Sequence, residues 1–492
     1  MPFSSAGDVA VVCGLAGLLV VCWDRISTDG STALSIGVYV LAAVVAVRVA
    51  RKLEDGLNSL TIILGLCLLR IGLPTVLLLV SDVPANTVLS EFNIVESDLL
   101  EAQEFAAGGV LAIIVGWYAC PPSWARAATR LHRLAGRLLT ADARIVPAAT
   151  WAFAAGIANV LVYLVLSFGN PFAAVLSGVA RGNSAPGTSR YGFTAIALLI
   201  TSAVLLTLYL ARQPQRSRLV VYAPSLLAGA VLTIFGGRVG ALTPIGLALL
   251  GVAYLRRSDG GARRRATPRA RSLVAAVVVG FLLLGYVSFV AAYRGDARLA
   301  GGESGIAAAS STLRGDVLIS YAQNSLWTEV STLHPYALAD WLGPGALEGR
   351  TYPETLGLVS QLAGIRGERP GQTMVERFGV SGYLTVWGFH TGLIVDVFVN
   401  SGLVWALVAG ILFGAVLRAE YVGFRRADTS IGSTFLHCVS VWTMLWVFFE
   451  SLVVLLSQFQ LILPAVTLIV LGARLVPGSA PARGGVRPRF GA

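Results

Sequence analysis

The sequence predicts an all-α polytopic integral membrane protein of about 12 transmembrane helices, with one long external loop that contains short interfacial helices. Three observations carry this. Hydrophobic residues make up 55% of the chain and charged residues only 13%, against roughly one quarter charged in soluble domains; the mean hydropathy is +0.74. Apolar runs near the ~20 residues needed to cross a bilayer recur at 9–23, 33–50, 57–80, 105–120, 146–168, 192–211, 219–236, 239–255, 272–293, 391–417, 432–455 and 459–474. The connections 48–56, 121–144, 212–218, 256–271 and 418–430, with the tail from Arg474, hold 25 of the 37 basic residues and alternate with all the others. Basic residues in short connections mark the cytoplasmic side, so both termini are expected there.

The chain accordingly divides into a membrane domain of nine spans at 1–293, a long external loop at 294–390, three more spans at 391–475 and a basic cytoplasmic tail at 476–492. The first apolar segment is followed by no small-residue cleavage site and is expected to be retained. A net charge of +11, 36 Arg against the single Lys52, invites a nucleic-acid reading, but its position decides otherwise. The cluster at 256–271 is a topology anchor beside anionic lipid, and no nucleic-acid partner is expected. Cys13, Cys22, Cys67, Cys120 and Cys438 all fall in or at the edges of apolar spans, with neither metal spacing nor a disulfide frame.

The external connections differ in chemistry. Residues 81–104 hold six acids and no base, which would repel an anionic substrate or merely form a solvated face. Arg181 and Arg190 stand among Gly, Ser and Pro at 169–191, and the FGGR turn at 235–238 places Arg238 at the outer membrane surface. Within the long loop, Val317, Tyr321, Leu326, Val330 and Leu333 have loose helical spacing. A helix over 316–342 is expected along the interface, anchored by Trp327 and Trp341 and ended by Pro344, Gly345 and Gly349.

No DxD pair, HExxH, GxSxG, Walker A loop or CxxC occurs, so no cofactor or metal is expected. The outer face instead offers guanidinium groups, which bind phosphate and pyrophosphate through paired charge-assisted hydrogen bonds. Arg181, Arg190, Arg238, Arg350 and Arg377 are the candidates; the plainer alternative for each is pairing with a nearby acid or lipid phosphate. Arg70, Asp396 and Glu450 are ionisable residues inside apolar spans, costly there unless paired or solvated. They are either functional or an interhelical ion pair. His334 and His390 are the external histidines, each a candidate general base or a structural residue.

Four stretches together resemble the O-antigen polymerase family, the oligosaccharide repeat-unit polymerases. They are FGGRVGAL from Phe235, the long external loop late in the chain, GRTYPETLGLVSQLAGIRGERPG from Gly349, and HTGLIVDVFVNSGLVWALVAGILFGAVL from His390. Asp396 and Phe398 stand where the family often has Glu and Tyr. The resemblance implies a glycosyltransferase whose donor is a glycan on undecaprenyl pyrophosphate and whose acceptor is another lipid-linked unit. It implies His390 or Asp396 as base, Arg238 as an essential cation, and Arg181, Arg190, Arg350, Tyr352, Arg377 and His334 toward pyrophosphate and glycan. Expected partners are lipid-linked oligosaccharides, membrane lipids, a chain-length regulator and a flippase. Alternatives are an O-antigen ligase, a polyprenyl-phosphate-sugar glycosyltransferase using Asp24 or Asp29, and a lipid-linked oligosaccharide flippase.

Overall fold

The computed structural model describes residues 30–53, 55–73, 75–76, 96–139, 144–177, 189–213, 215–233, 238–258, 289, 334–355, 373, 376, 392–427, 429–449 and 454–475, which are almost entirely helical and contain no strand. In order, the helices are α1 Gly30–Lys52, α2 Ser59–Cys67, α3 Glu96–Ala119, α4 Pro122–Leu138, α5 Ile145–Phe168, α6 Pro171–Ser177, α7 Ser189–Ala211 and α8 Arg218–Thr233. There follow α9 Arg238–Ser258, α10 His334–Leu342, α11 Tyr352–Thr355, α12 Gly392–Ser401, α13 Leu403–Arg426, α14 Ile431–Phe449 and α15 Val454–Leu475. A π-helical turn, Leu68–Gly72, extends α2. Among the described residues six helices (α1, α3, α5, α7, α13 and α14) are long and apolar enough to cross a membrane. The protein is thus an all-α membrane protein. The expected span at 9–23 lies outside the described residues, as does that at 272–293 except for residue 289.

Glycine decides how the central pair packs. In a bilayer, apolar side chains gain nothing by leaving lipid for one another, so close backbone approach at small residues drives association. Gly116 of α3 lies so near α13 that a Cβ there would sit 1.9 Å from the Ile411 carbonyl oxygen. Gly414 of α13 answers it, with a Cβ 2.1 Å from the Ile113 oxygen. Further along the same seam, Gly109 and Gly410 lie against Ile394 of α12 and against Ala112. The pairings step from 109 opposite 410 to Trp117 against Tyr421, rings 6.2 Å apart, so α3 and α13 run parallel.

The bundle therefore has two distinct ends. At one, Tyr421 donates to Asp55 Oδ2 at 2.9 Å and Tyr254 to the Leu57 carbonyl. Arg212 donates to the Thr429 carbonyl there, and Gly432 abuts Ala135. All the basic connections within the described residues meet at this end. At the other lie the start of α3, α10, α12 and the Phe448 and Phe449 end of α14.

Four expectations change. The run at 391–417 is not one span: Gly402, at φ 88°, separates the short α12 from the full-length α13. The span expected at 105–120 begins at Glu96, because Leu99, Ala102 and Gln103 already face the core; acids near a helix start also complement its positive end. The connection 121–144 contains α4, whose buried face is Ala125, Thr129 and His132 and whose other side carries Arg126, Arg130 and Arg133. The described part of the 316–342 stretch, α10, does not lie on a surface: Tyr336, Ala337, Leu338 and Ala339 are buried.

Replacing Gly414 or Gly116 by Val should prevent α3 and α13 from closing, at a cost above the usual overpacking range of about 1–3 kcal/mol. Thermal unfolding of the purified protein should register it, while Gly37→Val, in open space, should melt like the parent. Equal melting of all three would refute the seam.

Candidate functional site

The site end is built around α12. Every residue from Gly392 to Asn400 is buried, so this ten-residue helix is enclosed on all sides. A helix so placed has orphan carbonyls at its C-terminus that need donors, because no water reaches them. The loop 343–352 supplies two of them: Gly345 N–H donates to the Phe398 carbonyl at 2.9 Å, which also accepts from Gly402 N–H at 2.8 Å, and Leu347 N–H donates to Val399 at 2.7 Å. Reaching these carbonyls bends the loop through left-handed backbone at Gly343, Gly345 and Gly349, with Glu348 at φ 48°. Glycine enters that region without penalty. Gly392 opens α12 at φ 73° with space for no side chain, since a Cβ would stand 2.6 Å from the Phe448 oxygen.

Side chains complete the docking. Asn400 Nδ2 donates to Thr351 Oγ1 and to the Asp396 carbonyl, each at 2.7 Å, and Thr351 N–H returns to Asn400 Oδ1 at 3.4 Å. Tyr352 and Ser401 share a hydroxyl hydrogen bond of 2.6 Å. Asp396 itself is 2% exposed, one helical turn from Asn400. On its other side Phe398 packs on Phe105 at 4.5 Å, and Phe105 meets Tyr336 edge-on at 5.5 Å.

Arg70 comes to this same end. Its guanidinium lies over the Phe449 ring, 5.1 Å from the centroid, and α12 begins against Phe448. The π-helical turn that carries Arg70 is the sort of local irregularity found at functional sites. Burial pushes the Tyr336 hydroxyl pKa up, the Cys67 thiol adding to the rise and the Arg70 guanidinium opposing it.

The sequence candidates are thus partly assembled. The loop that carries Arg350 and Tyr352 is docked on α12, the helix that carries Asp396, and Arg70 lies at the same end against Phe449. Arg350 is at the rim: its side chain is half exposed and lies 3.7 Å from Glu348, itself exposed. Such a pair is worth little. Arg190, Arg238 and His334 fall in the first turn of α7, α9 and α10. Because α7 and α9 finish at the basic end, Arg190 and Arg238 open those helices at the opposite end, that of α12. Arg181, Arg377, His390 and Glu450 lie outside the described residues.

Sequence reasoning passed over a second constellation at the basic end. His437 Nδ1 and His132 Nε2 both face Glu420 Oε1, at 2.7 and 3.3 Å. His132 Nδ1 is 3.3 Å from both the carbonyl and the hydroxyl of Ser433, and Phe424 stacks on His437 at 4.1 Å. All three ionisable groups are buried. Their ring nitrogens converge on one carboxylate oxygen, and among the described residues no group of His, Cys, Asp or Glu is disposed to hold a metal ion. The cluster ties α4 to α13 and α14. The signal for it was the helical phase of Glu420, obscured because the span had been ended at 417.

The fold and its site define an all-α membrane protein with a short buried helix capped by a glycine-rich loop. No family model, curated protein or solved structure matches the chain.

Two outcomes test this geometry. Asn400→Leu removes three hydrogen bonds and strands Thr351, which should cost about 1–3 kcal/mol. It should also raise amide hydrogen exchange across 343–352 while leaving α13 protected; unchanged exchange would mean the loop is held by something else. Glu420→Gln leaves two buried histidines facing a neutral amide, a loss of about 3–5 kcal/mol on the scale of broken buried pairs. His132→Phe with His437→Phe in the same background should recover part of it.

Proposed function

We propose that the chain is a membrane glycosyltransferase that polymerises undecaprenyl-pyrophosphate-linked oligosaccharide repeat units into surface polysaccharide. In this reading it works on the outer face of a bacterial plasma membrane, with both termini cytoplasmic. One observation supports it most: the loop bearing Arg350 and Tyr352 is docked on the buried helix bearing Asp396, at the end of the bundle away from the basic connections. Those residues lie in two of the stretches that resemble the O-antigen polymerases.

The chemistry asked of such a site is modest. An acceptor sugar hydroxyl attacks the anomeric carbon of the donor glycan, the bond from that carbon to the pyrophosphate oxygen breaks, and the lipid pyrophosphate leaves with the electron pair. The hydroxyl proton passes to Asp396 or His390 as general base. Arg238 and Arg350 meet the charge that grows on the leaving pyrophosphate, where fixed donors are worth most because they need no reorganisation. The energy is stored in the donor, so neither ATP nor a nucleotide sugar is needed. Asp396 is buried, so an acceptor using it as base must displace part of what covers α12. Tyr352 and Arg350 then become the residues that lift toward the substrate.

Purified protein given a lipid-linked repeat unit, with chelator and no nucleotide, should produce a ladder of lengthening lipid-linked glycans. Arg238→Ala and Arg350→Ala should each lower the rate on the order of 10²–10³-fold, as loss of a charge-stabilising donor does elsewhere, with the protein still folded in the membrane. Parental ladders from both variants would sink the assignment. Glycan moved onto a different terminal acceptor would make the enzyme a ligase, and sugar translocated without joining would make it a transporter.

A further inference from the structure

Helix α4 is not one of the six spans and takes no part in the site at the opposite end. Its circumference divides into three stripes. Ala125, Thr129 and His132 are buried, on the side that meets α13 and α14. Arg126, Arg130, Arg133 and Arg137 recur every three or four residues and are all exposed. Trp124, Leu131, Leu134 and Leu138 are exposed on a stripe of their own. At about 100° per residue the centres of the three stripes stand roughly 110–140° apart. No acid occurs in the helix. We propose that α4 lies in the plane of the membrane and binds an anionic leaflet at the basic end, its leucines among the acyl chains and its arginines on the headgroup phosphates.

The connections of α4 fix its depth. Only Cys120 and Pro121 separate it from the end of the span α3, so it starts at the level where that span leaves the bilayer. Ala128 packs on Gly423 of α13, and His132 Nε2 reaches Glu420 at 3.3 Å. The helix α13 runs on from Glu420 to Arg426, about 9 Å farther at the α-helical rise. Gly136 meets Ser430, and Ala135 meets Gly432 at the start of α14. The middle of α4 is therefore held beside the last turns of one span and the first turn of another. Interfacial helices sink about 5–10 Å into the boundary between headgroups and acyl chains, which is the same depth.

Either exposed stripe alone has a plainer meaning: leucines face lipid on any span, and arginines face water on any solvated helix. Their placement side by side along one helix is what selects the leaflet. A surface that offers acyl chains to one stripe and phosphates to the next is the boundary of an anionic bilayer, and helices that lie in it carry this division. Trp124 stands at the first turn, and indole rings collect at the same boundary. Guanidinium groups take phosphate through paired hydrogen bonds, and each cation close to an anionic surface adds to the binding. An acidic protein helix matches the charges as well, but it has to reach leucines set at the depth of the spans' ends, where lipid already surrounds the bundle.

L134C and R133C are made singly in the full chain, which is reconstituted into vesicles of phosphatidylcholine alone or with an equal part of phosphatidylglycerol. A membrane-impermeant maleimide is added, and the adduct is located by peptide mass so that the native cysteines do not interfere. With phosphatidylglycerol present, L134C should label far more slowly than R133C. Adding R126Q and R130Q should speed L134C labelling on the order of 30-fold, the effect of two cations near an anionic surface. Adding R216Q and R218Q, exposed at the same end between α7 and α8, should leave it unchanged. Labelling of L134C as fast as that of R133C puts the apolar stripe in water and overturns the proposal. Equally slow labelling in phosphatidylcholine alone, or an equal response to both pairs of substitutions, means that the stripe is covered without regard to its own arginines and overturns it too. Should the R126Q, R130Q variant fail to fold, R126Q alone must still speed L134C labelling about fivefold, or the proposal fails.

Discussion

The close contact of α3 with α13 is the constraint on which the rest of the bundle depends. Gly116 and Gly414 bring two backbones to a separation that any side chain would forbid, and the consequences run to both ends. Toward the site, Gly109 and Gly410 make the recess that receives Ile394, which seats α12. Toward the basic end, the same approach carries Trp117 to Tyr421 and continues α13 to Gly423, against which Ala128 of α4 packs. In a membrane this seam has no hydrophobic driving force behind it and relies on dispersion contacts between well-fitted surfaces. A misfit of even one methyl group therefore propagates to elements that it never touches.

Breaking the span at Gly402 creates a problem and its solution together. A continuous helix would satisfy its own backbone across the bilayer; a ten-residue helix ending inside the protein cannot, and unsatisfied groups there cost several kcal/mol each. The glycine-rich loop 343–352 is the complement to that break. Its N–H groups cap α12, and Thr351 and Tyr352 fix its register through Asn400 and Ser401. Interrupted helices in membrane proteins commonly border sites where substrates or ions bind. Here the interruption sets an acid, an amide and two hydroxyls within a few residues of one another.

Much of this was legible in the sequence, for physical reasons that also explain the failures. The described helices α1, α5, α7, α8, α9 and α15 fall within a few residues of the apolar runs, because a span must be apolar over its lipid-facing length. Where a helix is covered by protein the rule loses force. The start of α3 is polar yet buried at Gln103, and Glu420 sits on the covered face of α13, so both were assigned to connections. The opposite error made one span of α12 and α13, since hydropathy cannot register a change of direction at a single glycine. Helix α4 is hard to see in the sequence because the five basic residues of its connection mark sidedness and obscure its helical period. Its Ala125, Thr129, His132 and Gly136 recur at helical spacing and line the packed face. The docking of 349–352 on α12 joins residues about fifty positions apart, which no local pattern specifies.

The two ends differ in how firmly they are held, and that difference bears on which one can open. At the basic end the junction of α4, α13 and α14 rests on a buried carboxylate between two imidazoles, with Glu420 Oε2 and His437 Nε2 buried and, among the described residues, without a hydrogen-bond partner. Separating such a group exposes an uncompensated charge to a medium that solvates it poorly, so the junction resists partial opening. At the other end the contacts between loop and α12 are neutral hydrogen bonds, each worth about 0.5–1.5 kcal/mol. Under the proposed function, a glycan arriving at that end would exchange its own hydroxyls for those of Thr351 and Tyr352 and lift the loop. The glycine seam and the ionic junction meanwhile keep the helices that carry Asp396 and Arg70 in place.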